Sequence, residues 1–151
     1  MTNLTKRLLT VLAGLSVCAA AHAQSTVGEL LEKGGKRFTK EDMQAMLPYR
    51  IKWQWPNRQG EEELVLSVDG KITGSGYHFQ SRSTSPAEGT WKLEDDGKLC
   101  AQKTFTTWNS SPSQCWYGFE LGKDFFGAMK PDPDAKLMKV MSLVRLGAEG
   151  K

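Results

Sequence analysis

The chain has 151 residues, a formal net charge of +3 at pH 7, and 39% hydrophobic residues, with five tryptophans among them. This length fits one domain with one hydrophobic core, and the basic residues are interspersed with acidic ones. The composition therefore argues against a nucleic-acid-binding protein and against a surface that is attracted to anionic lipid.

Residues 1–23 are predicted to be a secretory signal peptide. Lys6 and Arg7 give a positive start, residues 8–17 form a short apolar core, and a small-x-small cleavage site ends at Ala23. The apolar run is too short to span a membrane, and no second run follows it. Cleavage after Ala23 removes two basic residues and no acid, which leaves 128 residues with a charge of +1. The expected location is the periplasm or the outside of the cell.

The cysteines agree with export. Cys18 lies inside the predicted signal peptide, which leaves Cys100 and Cys115 as an even pair that an oxidising compartment would join. A disulfide that closes a loop of this length is worth about 3 kcal/mol. The alternative for Cys18 is lipidation, which would anchor the chain to a membrane; Val17 is bulkier than the residue expected before a lipidated cysteine.

Two short helices are predicted in the N-terminal segment 24–49. The first is capped by Ser25 or Thr26 and is ended by a pair of glycines. The second begins at Thr39, a good N-cap with an acidic residue three positions later, and is ended by Pro48.

Eight strands are predicted in the remaining segment, 50–151, because short aromatic and branched runs alternate there with turn residues. They span residues 50–55, 63–68, 71–79, 89–94, 98–106, 114–121, 124–129 and 136–144. The last run is also compatible with a helix, and we interpret it as a strand. The predicted fold is mainly β: a small, lipocalin-like, antiparallel up-and-down barrel of about eight strands after two short helices.

The predicted turns alternate between tight and long. Asp-Gly or Gly-Lys pairs mark tight turns at 69–70, 96–97 and 122–123, whereas longer polar connections span 56–61, 81–87, 109–114 and 131–134. Successive turns of a meander lie at opposite ends of the barrel. The long connections should therefore gather at one end, which is the expected functional end.

Catalytic and metal-binding patterns are weak in this sequence. His78 is the single histidine after residue 23, and no nucleophile elbow, zinc motif, calcium loop or phosphate loop is present. The glutamates at 61–63 are interpreted as a solvated turn. Asp95 and Asp96 are interpreted as tight-turn residues, and Asp132 and Asp134 as loop residues. No catalytic, cofactor-binding or metal-ligating residue is predicted.

Aromatic residues are enriched and raise the hypothesis of a ligand cavity, for which core packing is the alternative. The candidate ligand-lining residues are Trp53, Trp55, Tyr77, Trp91, Tyr117 and Phe119. The cysteines pose a related question, because Cys115 shares a strand face with apolar residues and Cys100 shares one with polar residues. Disulfide-bonded cysteines on adjacent strands should face the same way, so either a bulge intervenes or the interior is partly polar.

Several segments resemble one family. The runs Gly89-Thr90-Trp91-Lys92 and Asp96-Gly97-Lys98-Leu99-Cys100, together with Trp108 and Cys115, resemble the proteobacterial secreted family catalogued as domain of unknown function 995. The segment from Gly34 to Thr39 and the pair Leu47-Pro48 resemble the opening of that family. The resemblance implies a fold and no activity. Gly89-Thr90-Trp91 also resembles the Gly-x-Trp signature of lipocalins, which in that family lies in the first strand.

These patterns favour an exported, non-enzymatic binding module without a cofactor. Its partner would be a small apolar or sugar-like ligand, held at the long-loop end or in an aromatic-lined cavity. One alternative is an inhibitor of an envelope or secreted protein, with loops 81–87 and 109–114 inserted into the partner. The other is a hydrolase of envelope glycans that uses paired carboxylates.

Overall fold

The computed structural model describes residues 26–147, so the predicted signal peptide and Cys18 lie outside the described part of the chain. This part contains two helices, α1 (Val27–Glu32) and α2 (Lys40–Met46), and nine strands. The strands are β1 (Lys36–Arg37), β2 (Tyr49–Gln54), β3 (Gly60–Leu66), β4 (Lys71–His78), β5 (Ser83–Leu93), β6 (Leu99–Phe105), β7 (Ser113–Leu121), β8 (Asp124–Ala128) and β9 (Met138–Arg145).

Strands β2 to β9 form a closed, antiparallel barrel of eight strands. Each strand pairs with the next one along the chain, and β9 pairs with β2 to close the sheet. The predicted fold class and all eight strands are confirmed, including the C-terminal strand. The two-residue strand β1 was not predicted, because it has no alternating pattern; it pairs with β7 beyond the end of β6.

The turns divide the barrel into two different ends. Turns 67–70, 94–98 and 122–123 lie at one end, and connections 55–59, 79–82, 106–112 and 129–137 lie at the other. The predicted long connection 81–87 is wrong, since β5 begins at Ser83. Ser85 and Ala87 face the interior and are buried. Because their side chains are small or polar, the sequence here lacks the alternation of large apolar and polar residues that marks a strand.

The tight-turn end of the barrel is closed. Phe38 and α2 cover it, and Lys40 at the start of α2 forms an ion pair with Asp95 in the 94–98 turn. Beneath this cover the interior is filled by apolar side chains, which leave a void of about 20 Å³. The core residues in this half include Met43, Tyr49, Ile51, Leu64, Leu66, Ile72 and Leu99.

A second, smaller core lies outside the barrel wall. Val27 and Leu30 of α1 pack on the outer face of β7, where Tyr117 and Phe119 are buried. Gly118 between them faces the interior, since a Cβ atom added there would lie 2.7 Å from the Phe38 ring. Strand β7 therefore carries apolar residues on both faces, because both faces are covered.

This outer core explains why Cys115 shares a strand face with apolar residues, whereas Cys100 shares one with polar residues. Cys100 and Cys115 are opposite each other in the β6–β7 ladder, with Cα atoms 4.0 Å apart, and a disulfide joins them. Both face outward. The apolar neighbours of Cys115 on this face are covered by α1 rather than by the barrel interior, so no bulge is needed here.

The second helix has the predicted capping box. The Thr39 side chain accepts a hydrogen bond from the Asp42 N–H at 3.1 Å, and the Asp42 carboxylate accepts one from the Thr39 N–H at 2.9 Å. This backbone donor, with help from Lys36, holds the pKa of Asp42 below its ordinary value. Because α2 covers the closed end, its cap contributes to the stability of the whole barrel.

Replacing Thr39 by alanine is expected to lower the free energy of unfolding by about 1 kcal/mol, the usual cost of losing an N-cap. Denaturant unfolding of the variant and the wild type at neutral pH measures this difference. An unchanged unfolding midpoint would show that α2 is not part of the cooperative unit.

The charge of Asp42 adds a dependence on pH. Its pKa is lower in the folded chain than in the unfolded chain, so its stabilising contribution is full above the unfolded value and is lost as the pH falls through the folded value. Asp42→Asn should therefore be less stable than the wild type at neutral pH, and the difference should shrink in acid.

Candidate functional site

The long-loop end of the barrel holds an open cleft of about 560 Å³, which we call the mouth cleft. It is lined by Trp55, Pro56, Asn57, Glu62, His78, Lys103, Phe105, Trp108, Ser110, Pro112 and Gln114. Its volume lies in the range of small-molecule sites in proteins. Aromatic rings form its walls, and a pair of opposite charges lies in its floor.

Three aromatic residues, two from connections and one from the end of a strand, converge on the mouth cleft. Trp55 follows β2, Phe105 ends β6, and Trp108 lies in the 106–112 connection. The Trp55 and Trp108 rings are 5.8 Å apart and nearly perpendicular, and Phe105 is 5.1 Å from Trp108 and 6.1 Å from Trp55. The two pairs that involve Trp55 are edge to face and the third is tilted; all three distances are favourable for aromatic pairs and hold the walls of the cleft in place.

Two glycines make room for these rings. A Cβ atom at Gly76 would lie 2.6 Å from the Phe105 ring and 3.0 Å from the Trp108 ring, and one at Gly60 would lie 2.4 Å from the Trp55 ring. Any larger side chain at either position would push an aromatic ring aside. The glycines are thus part of the architecture of the mouth cleft.

The floor of the mouth cleft is a buried ion pair. Glu62 points inward from β3 and Lys103 points inward from β6, and they are 2% and 3% exposed. The Glu62 carboxylate also accepts hydrogen bonds from the indole N–H groups of Trp53 and, at 3.2 Å, Trp55. All these polar groups are partnered, as burial requires.

Aromatic faces surround the lysine. The Lys103 Nζ atom lies 5.7 Å from the centre of the Trp53 ring and 5.8 Å from that of Phe105, within the range of cation–π interactions. The ammonium group is therefore stabilised by a carboxylate and two rings. The floor has two charges but no net charge.

A chain of hydrogen bonds crosses the rim from His78 to Trp108. The His78 Nδ1 atom accepts a hydrogen bond from the Ser81 N–H at 3.3 Å, and the Ser81 hydroxyl is 2.8 Å from the Ser83 hydroxyl. The Trp108 indole N–H donates to the Ser83 hydroxyl at 3.0 Å. The 79–82 connection thereby fixes the orientation of two residues that line the mouth cleft.

The structure separates the six residues predicted to line a ligand site. Trp55 lines the mouth cleft, and Trp53 lies beneath it. Trp91 points inward at the opposite end, where its indole N–H donates to the Ser67 carbonyl oxygen at 3.0 Å. Tyr77 is on the outside of the barrel because its neighbour Gly76 faces inward. Tyr117 and Phe119 are covered by α1.

The interpretation of the 61–63 glutamates as a solvated turn is wrong for Glu62. Strand β3 begins at Gly60 rather than at residue 63, and Glu62 falls on its inward face together with Leu64 and Leu66. The burial of β3 alternates strictly from Gly60 to Leu66, whereas its sequence does not, because residues 61–63 are all glutamate. The available signal was that Glu62 lies two residues before Leu64 and therefore shares its strand face. The same alternation in β6 places Lys103 inward, between two buried apolar positions.

Two further observations concern metal ions and membranes. Among residues 26–147, no three His, Cys, Asp or Glu side chains are grouped so that they could hold a metal ion. In the same part of the chain, no helix has the length and apolar character needed to cross a membrane.

The comparisons with known proteins leave the site to be interpreted from its geometry. No family model, no curated protein and no solved structure matches this chain. The resemblance to the secreted family described above therefore stays a prediction. The chain is a closed, eight-stranded antiparallel barrel with one filled end and one open, aromatic-walled end.

Proposed function

We propose that this chain is an exported, non-enzymatic binding module that holds a small neutral ligand in the mouth cleft. The observation that carries the proposal is the convergence of Trp55, Phe105 and Trp108 over the buried Glu62–Lys103 pair. Preformed clefts with aromatic walls and few polar groups are typical of small-molecule sites. A flat apolar ring or the apolar face of a sugar ring suits these walls.

The electrostatics of the floor support a neutral ligand. Glu62 and Lys103 balance each other, and Glu62 is already bonded to two indole N–H groups. A charged ligand buried against this pair would meet a like charge as well as an opposite one. Polar groups at Asn57, Ser110 and Gln114 can instead form hydrogen bonds with neutral hydroxyl or carbonyl groups.

The geometry does not favour the glycan hydrolase. Hydrolysis by paired carboxylates needs two acidic groups separated by about 5 to 9 Å across the substrate. Glu62 is the only carboxylate that lines the mouth cleft among the described residues, and both of its oxygens accept hydrogen bonds from the protein. Its neighbour Glu61 lies on the outer face and pairs with Lys52 at 2.7 Å.

The inhibitor alternative has less support than a small ligand. Segment 83–87 is part of β5, so it is not a loop that could be inserted into a partner. The 106–112 connection is mainly polar, and its one large apolar residue, Trp108, packs inward against Phe105 and Trp55. Hot spots of protein interfaces are usually aromatic or arginine residues that the free protein presents to the partner.

Native mass spectrometry of the mature protein purified from its own host's periplasm tests the proposal. We expect a small retained mass that denaturation releases, and we expect Trp108→Ala to retain at least tenfold less of it, the loss that about 1.4 kcal/mol of contact energy produces. The matched control is Tyr77→Ala, which removes an exposed aromatic ring from the outside of the barrel.

The outcomes of this experiment distinguish a ligand in the mouth cleft from a ligand elsewhere and from a protein partner. Retention by Tyr77→Ala and loss in Trp108→Ala would support the mouth cleft as the site. Equal retention by both variants would place the ligand elsewhere and contradict the proposal. A bare wild-type chain, with the disulfide intact, would count against a small ligand and favour a protein partner.

A further inference from the structure

A second concave surface lies on the outside of the barrel, and we call it the outer groove. It has a volume of about 860 Å³ and runs between the 55–59 connection and the first half of β9. Trp55 and Pro56 separate it from the mouth cleft, because they line both. The residues that determine its chemistry are Trp55, Arg58, Lys136, Leu137, Met138 and Met141.

The outer groove carries an excess of positive charge. Glu61 and Lys139 also line it, but Glu61 is paired with Lys52 at 2.7 Å and Lys139 with Asp124 at 3.2 Å. Arg58 and Lys136 have no ion pair with any residue of the described segment 26–147. Two cations in one groove are therefore available for an anionic group of a ligand.

The floor of the outer groove is apolar and includes an exposed methionine. Met141 is 55% exposed, although it lies within a strand. It is the extra residue of a bulge, since Val140 pairs with Trp53 while Ser142 pairs with Lys52. Bulges often redirect a side chain next to a functional site. Here the bulge adds an unbranched, adaptable side chain to the groove floor beside Leu137 and Met138, which are partly buried, Leu137 against the outer core and Met138 against the barrel core.

We infer that the outer groove is a second binding site, which takes an amphiphilic anion. The apolar part of such a molecule packs on Leu137, Met138 and Met141, and its carboxylate, sulfonate or phosphate group binds at Arg58 and Lys136. A neutral molecule would leave the two cations without a partner, and a simple inorganic anion would leave the apolar floor uncovered. This site differs from the mouth cleft, whose floor has no net charge.

A matched pair of fluorescent probes tests this inference. Anilinonaphthalene sulfonate has an aromatic body with a sulfonate, and phenylnaphthylamine has the same body without it. We expect the folded wild-type protein to bind the sulfonate more tightly, and we expect rising salt to weaken that binding. The double variant Arg58→Ala/Lys136→Ala should bind the sulfonate roughly three- to tenfold more weakly, and phenylnaphthylamine unchanged.

The control removes the same number of charges from the opposite end of the barrel. Lys98→Ala/Lys123→Ala, at the tight turns, should bind both probes as the wild type does. The inference is overturned if the wild type does not prefer the sulfonate or if Arg58→Ala/Lys136→Ala leaves its affinity unchanged. If Trp108→Ala alone weakens the sulfonate, the probe occupies the mouth cleft, which contradicts the outer groove and leaves the proposed function standing.

Discussion

Replacing Lys103 by methionine is expected to lower the free energy of unfolding by about 3–5 kcal/mol. Methionine keeps the length and packing of the side chain but leaves the Glu62 carboxylate buried without its positive partner. The two indole N–H groups that remain bonded to Glu62 compensate for only part of its lost hydration. Guanidinium unfolding followed by tryptophan fluorescence measures the loss, because Trp53 and Trp55 contact the pair directly.

A double variant separates the ion pair from the packing around it. Glu62→Gln/Lys103→Met removes both charges and keeps an amide oxygen that can accept a bond from the tryptophans. We expect the double variant to be more stable than Lys103→Met alone, since no uncompensated charge remains. If the two variants are equally unstable, the loss comes from packing, and the buried pair contributes little to the stability of the barrel.

Most of the fold could be predicted because its signals are local. Alternating residues defined the strands, Asp-Gly pairs defined the tight turns, and Thr39 with its acid three residues later defined the cap of α2. The disulfide followed from the even pair that remains after residue 23. The strands, turns and cap depend on neighbours within a few positions, and the disulfide needed only a count of the cysteines, so the sequence carries enough information to find each of them.

The site was harder to predict because it depends on which strand face is inward and which end is open. Tyr117 and Phe119 have the pattern of interior residues, yet α1 covers them on the outside. Trp91 does point inward, but at the filled end. The strand register decides at which end of the barrel a side chain lies, and a helix from another part of the chain decides whether its outer face is covered. Neither can be read from one strand.

Glu62 and Lys103 show a second limit of sequence interpretation. Charged residues in a strand are normally assigned to the solvent face, and here two of them lie inside the barrel. They are 41 residues apart in the chain, so their pairing becomes visible only when β3 and β6 are placed across the interior. Buried polar residues of this kind restrict the ways in which a barrel core can pack, which suits a preformed site.

The division of the barrel into two halves connects stability with binding. The filled half, closed by Phe38 and α2, supplies the apolar core. The open half is less tightly packed because it contains the mouth cleft. The buried ion pair and the edge-to-face contacts among aromatic rings keep its shape. A rigid scaffold at one end therefore positions connections at the other, the usual arrangement for binding sites on small β-domains.

The disulfide contributes both to stability and to the shape of the binding site, and we expect its removal to have the second large effect. The double variant Cys100→Ala/Cys115→Ala should lose about 3 kcal/mol of stability, the value for a closed loop of about this length. The β6–β7 ladder is short, extending from Leu99–Trp116 to Gln102–Ser113, and the loop that the disulfide closes carries Trp108. Loss of the crosslink should therefore weaken the mouth cleft as well as the barrel.

Guanidinium unfolding of the oxidised wild type, the reduced wild type and the double variant tests this link. We expect the reduced wild type and the double variant to unfold at the same, lower denaturant concentration, because both lack the constraint on the unfolded chain. Native mass spectrometry of the folded double variant should show less retained ligand than Tyr77→Ala does. Full retention at reduced stability would mean that Trp108 stays in place without the crosslink, through the rings of Phe105 and Trp55 and the hydrogen bond to Ser83.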